Sequence, residues 1–206
     1  MKLLHVDSSI LSADSVSRTI GTAIVERMRQ AAPGLEVLSR DLAAEPLPHL
    51  SLANLASDHP IAAAHGFSQD VSAARTASQD ALQEFLDADI VVIGAPMYNF
   101  TISSQLKAWI DRIIAPGKTF RYGEKGPEGL AGEKRVIIVV TRGGFYGAGT
   151  PMAAAEHAET YLRLVFGFIG VTNPEIIIAE GVQMGPGQRA VALQGGLEAA
   201  AHLRAA

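Results

Sequence analysis

Five short apolar runs punctuate the chain: Leu3 to Val6, Glu36 to Leu38, Ile90 to Ile93, Val136 to Val140 and Glu175 to Ile178. Ile and Val dominate three of them, and the runs are continuous rather than alternating. Strands buried on both faces have that pattern, and parallel sheets bury both faces. Between the runs, apolar residues return at helical spacing. Ile20, Ile24 and Met28 do so after the first run. Val71, Ala74, Leu82, Phe85 and Leu86 precede the third, and Leu106, Trp109, Ile110, Ile113 and Ile114 follow it within Ser103 to Ile114. Tyr161, Leu162, Val165, Phe166 and Ile169 precede the fifth, and a weaker Ala-rich pattern runs from Ala190 to Leu203. Strand–helix alternation repeated in this way predicts an α/β, doubly wound sheet with right-handed crossovers.

Five strands favour the flavodoxin-like order 2-1-3-4-5, a three-layer fold with helices on both faces of a parallel sheet, over the six-stranded dinucleotide-binding order. Two segments fit the alternation poorly. Leu42 to Gly66 is rich in Ala, Pro, Ser and His, and Arg121 to Gly132 has the glycine content of a loop. No internal repeat or linker is visible, so residues 1–206 are expected to form a single domain. With 48% hydrophobic and 18% charged residues the chain is globular rather than disordered. Its net charge of −4, with Lys and Arg scattered, argues against a nucleic-acid partner. Cysteine is absent, which excludes disulfides, thiolate catalysis and Cys-held iron–sulfur or zinc sites and leaves any redox chemistry to a cofactor. The N-terminal apolar run is too short for a signal peptide, and nothing approaches the roughly 20 apolar residues of a membrane span. The expectation is a soluble, cytoplasmic protein with no membrane partner.

Three loops carry candidate chemistry, each after a predicted strand. Beyond the first lies Asp7-Ser8-Ser9-Ile10-Leu11-Ser12-Ala13-Asp14-Ser15-Val16-Ser17, whose hydroxyls lead into a helix N-terminus. Unsatisfied N–H groups and the positive helix-dipole end suit a phosphate there, while N-capping by Ser is the plainer alternative. Neither the Gly-x-x-x-x-Gly-Lys-Ser/Thr clamp nor the Gly-x-Gly-x-x-Gly fingerprint is present, so a phosphate monoester fits better than a triphosphate or dinucleotide. Beyond the third strand, Ala95-Pro96-Met97-Tyr98-Asn99-Phe100 offers apolar and aromatic side chains beside backbone N–H groups, which suits a flat amphipathic ring. Beyond the fourth, Thr141-Arg142-Gly143-Gly144-Phe145-Tyr146 lets backbone approach a ligand closely. In this strand order the three loops meet at the switch point, where ligands of open α/β sheets bind. A phosphate after strand one and a ring after strands three and four describe FMN.

These residues resemble the bacterial FMN-dependent NADH:quinone oxidoreductases, or FMN-dependent NADH-azoreductases. The similarity runs through Ser8-Ser9-Ile10-Leu11 with Ser15 and Ser17, Arg40-Asp41-Leu42-Ala43, Ala95 to Phe100 and Gln105-Leu106-Lys107. It continues through Phe120-Arg121-Tyr122, Gly126-Pro127-Glu128-Gly129-Leu130, Arg142-Gly143-Gly144 and Phe166-Gly167-Phe168-Ile169-Gly170. The resemblance implies that Ser9, Ser15, Val16 and Ser17 hold the FMN phosphate. Pro96, Met97, Tyr98, Asn99 and Phe100 would cradle the isoalloxazine, and Thr141, Arg142, Gly143 and Gly144 would line its pyrimidine edge. Tyr122 would cover the substrate side of the ring. The family is homodimeric with sites at the subunit interface, so Phe168 and the segment Leu50 to Phe67 would contribute to the pocket. Many members carry His where this chain has Tyr146, so a second-half proton would come from water or from Tyr146.

The implied reaction is two-electron, ping-pong hydride transfer: NADH or NADPH reduces the non-covalently bound FMN, leaves, and a quinone or azo compound takes its place. Two alternatives are a flavodoxin-like electron carrier and an NADPH-dependent FMN or chromate reductase. The first lacks its Thr/Ser-x-Thr-Gly-x-Thr loop here, and the second its Gly-Ser-x-Arg loop. The histidines (His5, His49, His59, His65, His157 and His202) show no metal-ligand spacing and are read as structural or solvent-facing.

Overall fold

The computed structural model describes residues 1–55, 61, 64 and 73–204. Strand β1 (Lys2–Asp7) leads to helix α1 (Val16–Ala31), strand β2 (Glu36–Asp41) and helix α2 (Ala73–Asp87). Strand β3 (Ile90–Tyr98) turns back into the short β4 (Thr101–Ile102), followed by helix α3 (Ser104–Ile113) and the strands β5 (Phe120–Gly123) and β6 (Gly126–Gly129). Strand β7 (Arg135–Arg142), helix α4 (Ala158–Phe168), strand β8 (Glu175–Glu180) and helix α5 (Pro186–His202) complete the order. The main sheet runs β2-β1-β3-β7-β8, all parallel, with β4 antiparallel on the tip of β3. Counted among the five parallel strands alone this is the expected 2-1-3-4-5, and β1 and β3 flank the switch point.

The continuous apolar runs are explained by two cores, one on each face. Leu4, Val6, Val91, Ile93, Ile138 and Val140 pack with Phe85, Leu106, Trp109 and Phe166 on one face. Leu3, Ile90, Val92, Ile137 and Val139 pack with Ile20, Ile24 and Met28 on the other. Alternate residues of each central apolar run thus serve opposite cores, and all but the buried His5 of β1 are apolar. Trp109 is fully buried, edge-on to Phe85 at 5.9 Å, which makes it a core residue. No helix among the described residues is long and apolar enough to cross a membrane.

The stretch Arg121 to Gly132, read from sequence as loop, is largely the β5–β6 hairpin. Its strands are four residues each and interrupted by Gly and Pro, too short to show a period. The hairpin is seated by backbone contact. A Cβ on Gly129 would fall 2.1 Å from the Gly170 nitrogen, and Gly170 itself has φ +104°, so both positions require glycine. Phe120 then packs against Phe168, the rings tilted by 54° with centroids 4.7 Å apart. Val71, the part of Leu42 to Gly66 beyond Leu55 (save Ile61 and Ala64), most of Leu50 to Phe67, His59 and His65 lie outside the described residues.

Candidate functional site

The carboxyl ends of β1, β3 and β7 open into one cavity of about 1000 Å³. Its wall includes Ser9, Ser15 and Val16 from the first loop, Pro96 to Phe100 from the second, and Thr141, Gly143 and Tyr146 from the third. The three segments singled out by sequence therefore share one space.

The serine loop is built to be rigid. Ser8 donates to the Gly94 carbonyl at 2.7 Å, fastening β1's loop to β3. Ser9 Oγ accepts from the Leu11 N–H at 3.3 Å and sits 3.2 Å from the Tyr98 hydroxyl, which also accepts from the Ile10 N–H at 3.3 Å. Tyr98 thereby ties the serine loop to the β3–β4 turn. Ser15 caps α1 by accepting from the Arg18 N–H at 3.3 Å, so N-capping and cavity lining are one arrangement. Ser17 stands behind it, buried, with its Oγ 3.1 Å from that of Ser15.

Arg18 braces this loop from below. It grips Asp41 through two bonds of 2.7 Å and donates to the Ser9 carbonyl at 2.9 Å. The Arg18 hydrogen bond, aided by the N–H groups of Ala44 and Ala43, holds the Asp41 carboxyl down at about 2. Asp7 lies 3.5 Å from Arg18 and 3.8 Å from His5. Burial pushes the Asp7 carboxyl up and the His5 imidazole down, each favouring its neutral form. Neither lines the cavity.

The aromatic loop is the end of β3 itself. That strand runs five residues past Ile93 to Tyr98, and Asn99 and Phe100 form a two-residue turn into β4, with Tyr98 opposite Thr101. Both turn residues have positive φ, +47° and +75°, the signature of the primed turns that fit β-twist. Asn tolerates this region; Phe does so at a steric cost. The Phe100 carbonyl accepts from the His157 N–H at 3.0 Å, and the Phe100 ring is 47% exposed beside Tyr146, edge-on at 6.4 Å. The strained residue therefore presents its ring at the mouth of the cavity.

The third loop has a buried electrostatic anchor. Arg142 is only 2% exposed and meets Glu180 at 2.9 Å, Glu159 at 2.7 Å and Glu156 at 3.4 Å. Its side chain is committed to this network; what reaches toward the cavity here is its neighbours, Thr141 and Gly143. Glu180 also accepts the Tyr146 N–H at 2.8 Å, which fixes the turn carrying the tyrosine. The Tyr146 ring lies against Gly144, where an added Cβ would stand 3.4 Å from it.

Tyr122 is not in this cavity. It sits on β5, 76% exposed and edge-on to Phe120 at 5.6 Å. Sequence reasoning also passed over Val182, Gln183 and Arg189, which line the cavity from the segment after β8. That segment continues beside the third loop: Val182 donates to Arg142, Gln183 to Gly143 and Gly181 to Gly144. The signal was available, since this too is a strand's carboxyl end and carries Gly181, Gly185 and Gly187, but the segment has no hydroxyl-rich or aromatic motif. Among the described residues no cluster of His, Asp or Glu has the makings of a metal site.

The cavity's chemistry fits FMN on its own terms. Its wall combines hydroxyls at the N-terminus of α1 with an apolar, aromatic turn. A family model described as "Flavodoxin-like fold" matches residues 1–203. The FMN-dependent NADH:quinone oxidoreductase of Methylorubrum extorquens strain PA1 is 63% identical over 206 residues, covering all of both chains. The FMN-dependent NADH:quinone oxidoreductase 2 of Bradyrhizobium diazoefficiens is 60% identical, again over the whole of both chains. Among solved structures, the azoreductase of Bacillus anthracis strain Sterne superposes with a TM-score of 0.84 at 33% identity, covering 98% of this chain and 97% of that one.

Proposed function

This chain belongs to the FMN-dependent NADH:quinone oxidoreductases of the flavodoxin-like fold family, and from that premise we propose how its own residues serve the reaction. The protein is an FMN-dependent oxidoreductase that uses NADH, or NADPH, to reduce quinones and azo compounds. When bound, FMN supplies the hydride acceptor and two-electron donor; the protein supplies position, electrostatics and a shaped cavity.

Ser9, Ser15 and Val16 hold the phosphate against the N-terminus of α1, with Ser17 supporting Ser15 from behind. Pro96, Met97, Tyr98, Asn99 and Phe100 would seat the ring, with backbone N–H groups of the residues after Pro96 available to its polar edge. Thr141 and Gly143 would line the ring's pyrimidine edge, with Gly144 next in the same turn and the Arg142 network holding it, and donors there would stabilise negative charge on the ring. Water, or Tyr146 in the cavity wall, would pass the proton to an acceptor. Tyr122 joins the site in a homodimer, from the hairpin of a second copy. We read residues 1–206 as one domain and the protein as cytoplasmic.

One observation carries this reading: loops from three separate strand ends converge on a single cavity of about 1000 Å³. The test is spectroscopic. The purified protein is given FMN, then NADH without air, then a quinone. Bleaching of the flavin band by NADH and its return with quinone are expected. A band untouched by either nicotinamide would instead indicate a carrier, and no flavin uptake would overturn the assignment of all three loops.

A further inference from the structure

Arg189 stands on the first turn of α5, far in sequence from the serine loop, yet lines the same cavity as Ser9, Ser15 and Val16. Its Nη2 donates to the carbonyl of Asp14, the residue immediately before the α1 cap Ser15. The guanidinium is therefore held at the hydroxyl end of the cavity. Arg18, Arg40 and Arg142 are each neutralised by carboxylates. Arg189 makes no ion pair among the described residues, and its Asp14 bond uses only one of its donor nitrogens. A half-buried cation oriented by a backbone carbonyl, beside hydroxyls and a helix N-terminus, is suited to an anionic oxygen cluster. Lys107, the other cation in the cavity wall, is bound to Asp111 at 2.5 Å.

We propose that Arg189 is a phosphate-binding residue of this site, adding a cation from α5 at the serine-loop end of the cavity. The proposal rests on the FMN reading above. Two phosphates could occupy that position: the monoester of FMN, or a phosphate of the nicotinamide dinucleotide. The charge-assisted bond is added from α5, so it is separable from the serine loop's own donors.

The test uses the full-length protein, freed of flavin, and its Arg189→Gln and Arg189→Lys variants. Gln keeps a donor for the Asp14 carbonyl but removes the charge. FMN and riboflavin are titrated separately, and KM is measured for NADH and NADPH on the reloaded enzymes. If FMN is the source, Arg189→Gln weakens FMN by about tenfold and riboflavin hardly at all, as expected for one charge-assisted bond partly open to water. Arg189→Lys then recovers part of the loss, and FMN binding becomes less salt-sensitive in Arg189→Gln. If the dinucleotide is the source, FMN affinity holds while KM for NADH or NADPH rises. Unchanged FMN affinity together with unchanged KM overturns the proposal, as does equal weakening of FMN and riboflavin. Wild-type protein that takes up no FMN would overturn the flavin reading and this assignment with it, whereas FMN uptake by the wild type with both FMN affinity and KM unchanged in Arg189→Gln overturns only the assignment.

Discussion

At the scale of single residues, the β3–β4 turn concentrates what the sequence could and could not disclose. Asn99 at φ +47° is legible, because Asn is a residue that visits the left-handed region and marks hairpin turns. Phe100 at +75° is not, since its type argues against that conformation and only the ring it presents explains why it is there. Proline cannot reach a positive φ and has no N–H. Asn99→Pro should therefore destabilise the fold by more than about 1 kcal/mol and loosen flavin binding, while Asn99→Gly should retain both. Flavin affinity in Asn99→Pro equal to wild type would move the ring away from this turn. Asp41 supports a second prediction. Its folded carboxyl lies near 2 and its ordinary value is 3.8, so the native state binds fewer protons than the unfolded chain between them. The Arg18 pair then contributes fully above the ordinary value, and its contribution is lost as pH falls through about 2. Asp41→Asn should lower stability at neutral pH and show a shallower decline through that acid window. Parallel wild-type and variant curves of stability against pH would show that the pair has no such role. The brace matters because Arg18 also holds the Ser9 carbonyl at 2.9 Å.

At the scale of elements, strands were legible and their ends were not. Apolar runs disclose where a strand is buried, but β3 and β7 continue past their runs, to Tyr98 and Arg142, into partly polar sequence. Those extensions are the site. The hairpin escaped notice for a different reason: its geometry depends on the contact between Gly129 and Gly170, a tertiary fact with no local period. The family resemblance put Arg142 with Thr141, Gly143 and Gly144 along the ring's pyrimidine edge. Its side chain instead faces Glu156, Glu159 and Glu180, and alternation along the strand is the cause. Removing one partner of a buried charge cluster typically costs about 3–5 kcal/mol. Arg142→Met should approach that loss, read as a lowered unfolding midpoint. It should also mobilise Tyr146, whose N–H depends on Glu180 at 2.8 Å, and so raise KM for the acceptor in whatever folded enzyme remains. A variant as stable as wild type would mean the three carboxylates gain other partners.

At the scale of the whole molecule, strand order was legible because alternation and handedness leave few topologies, and the order in turn fixes where the loops meet. Among the described residues, a single chain does not supply a cover for the cavity. Its substrate side carries the ring of Phe100, 47% exposed, and Tyr122 stands apart on the hairpin at 76%. An aromatic side chain with that exposure, backed by Phe120 and Phe168, has the character of an interface anchor. If a second copy brings Tyr122 to the ring, three results go together. Light scattering gives twice the chain's 21.7 kDa. Tyr122→Ala changes KM for quinone severalfold while FMN affinity stays close to wild type, because the phosphate and ring contacts belong to the other loops. Steady-state kinetics give parallel double-reciprocal lines, since a ring seated on the β3–β4 turn and roofed by a partner leaves one face for nicotinamide and acceptor to use in turn. Intersecting lines would require room for both substrates at once. A fully active monomer would leave Tyr122 without a role, and the same kinetic series run against protein concentration distinguishes the two: a dimer-dependent site loses quinone turnover on dilution before it loses its flavin.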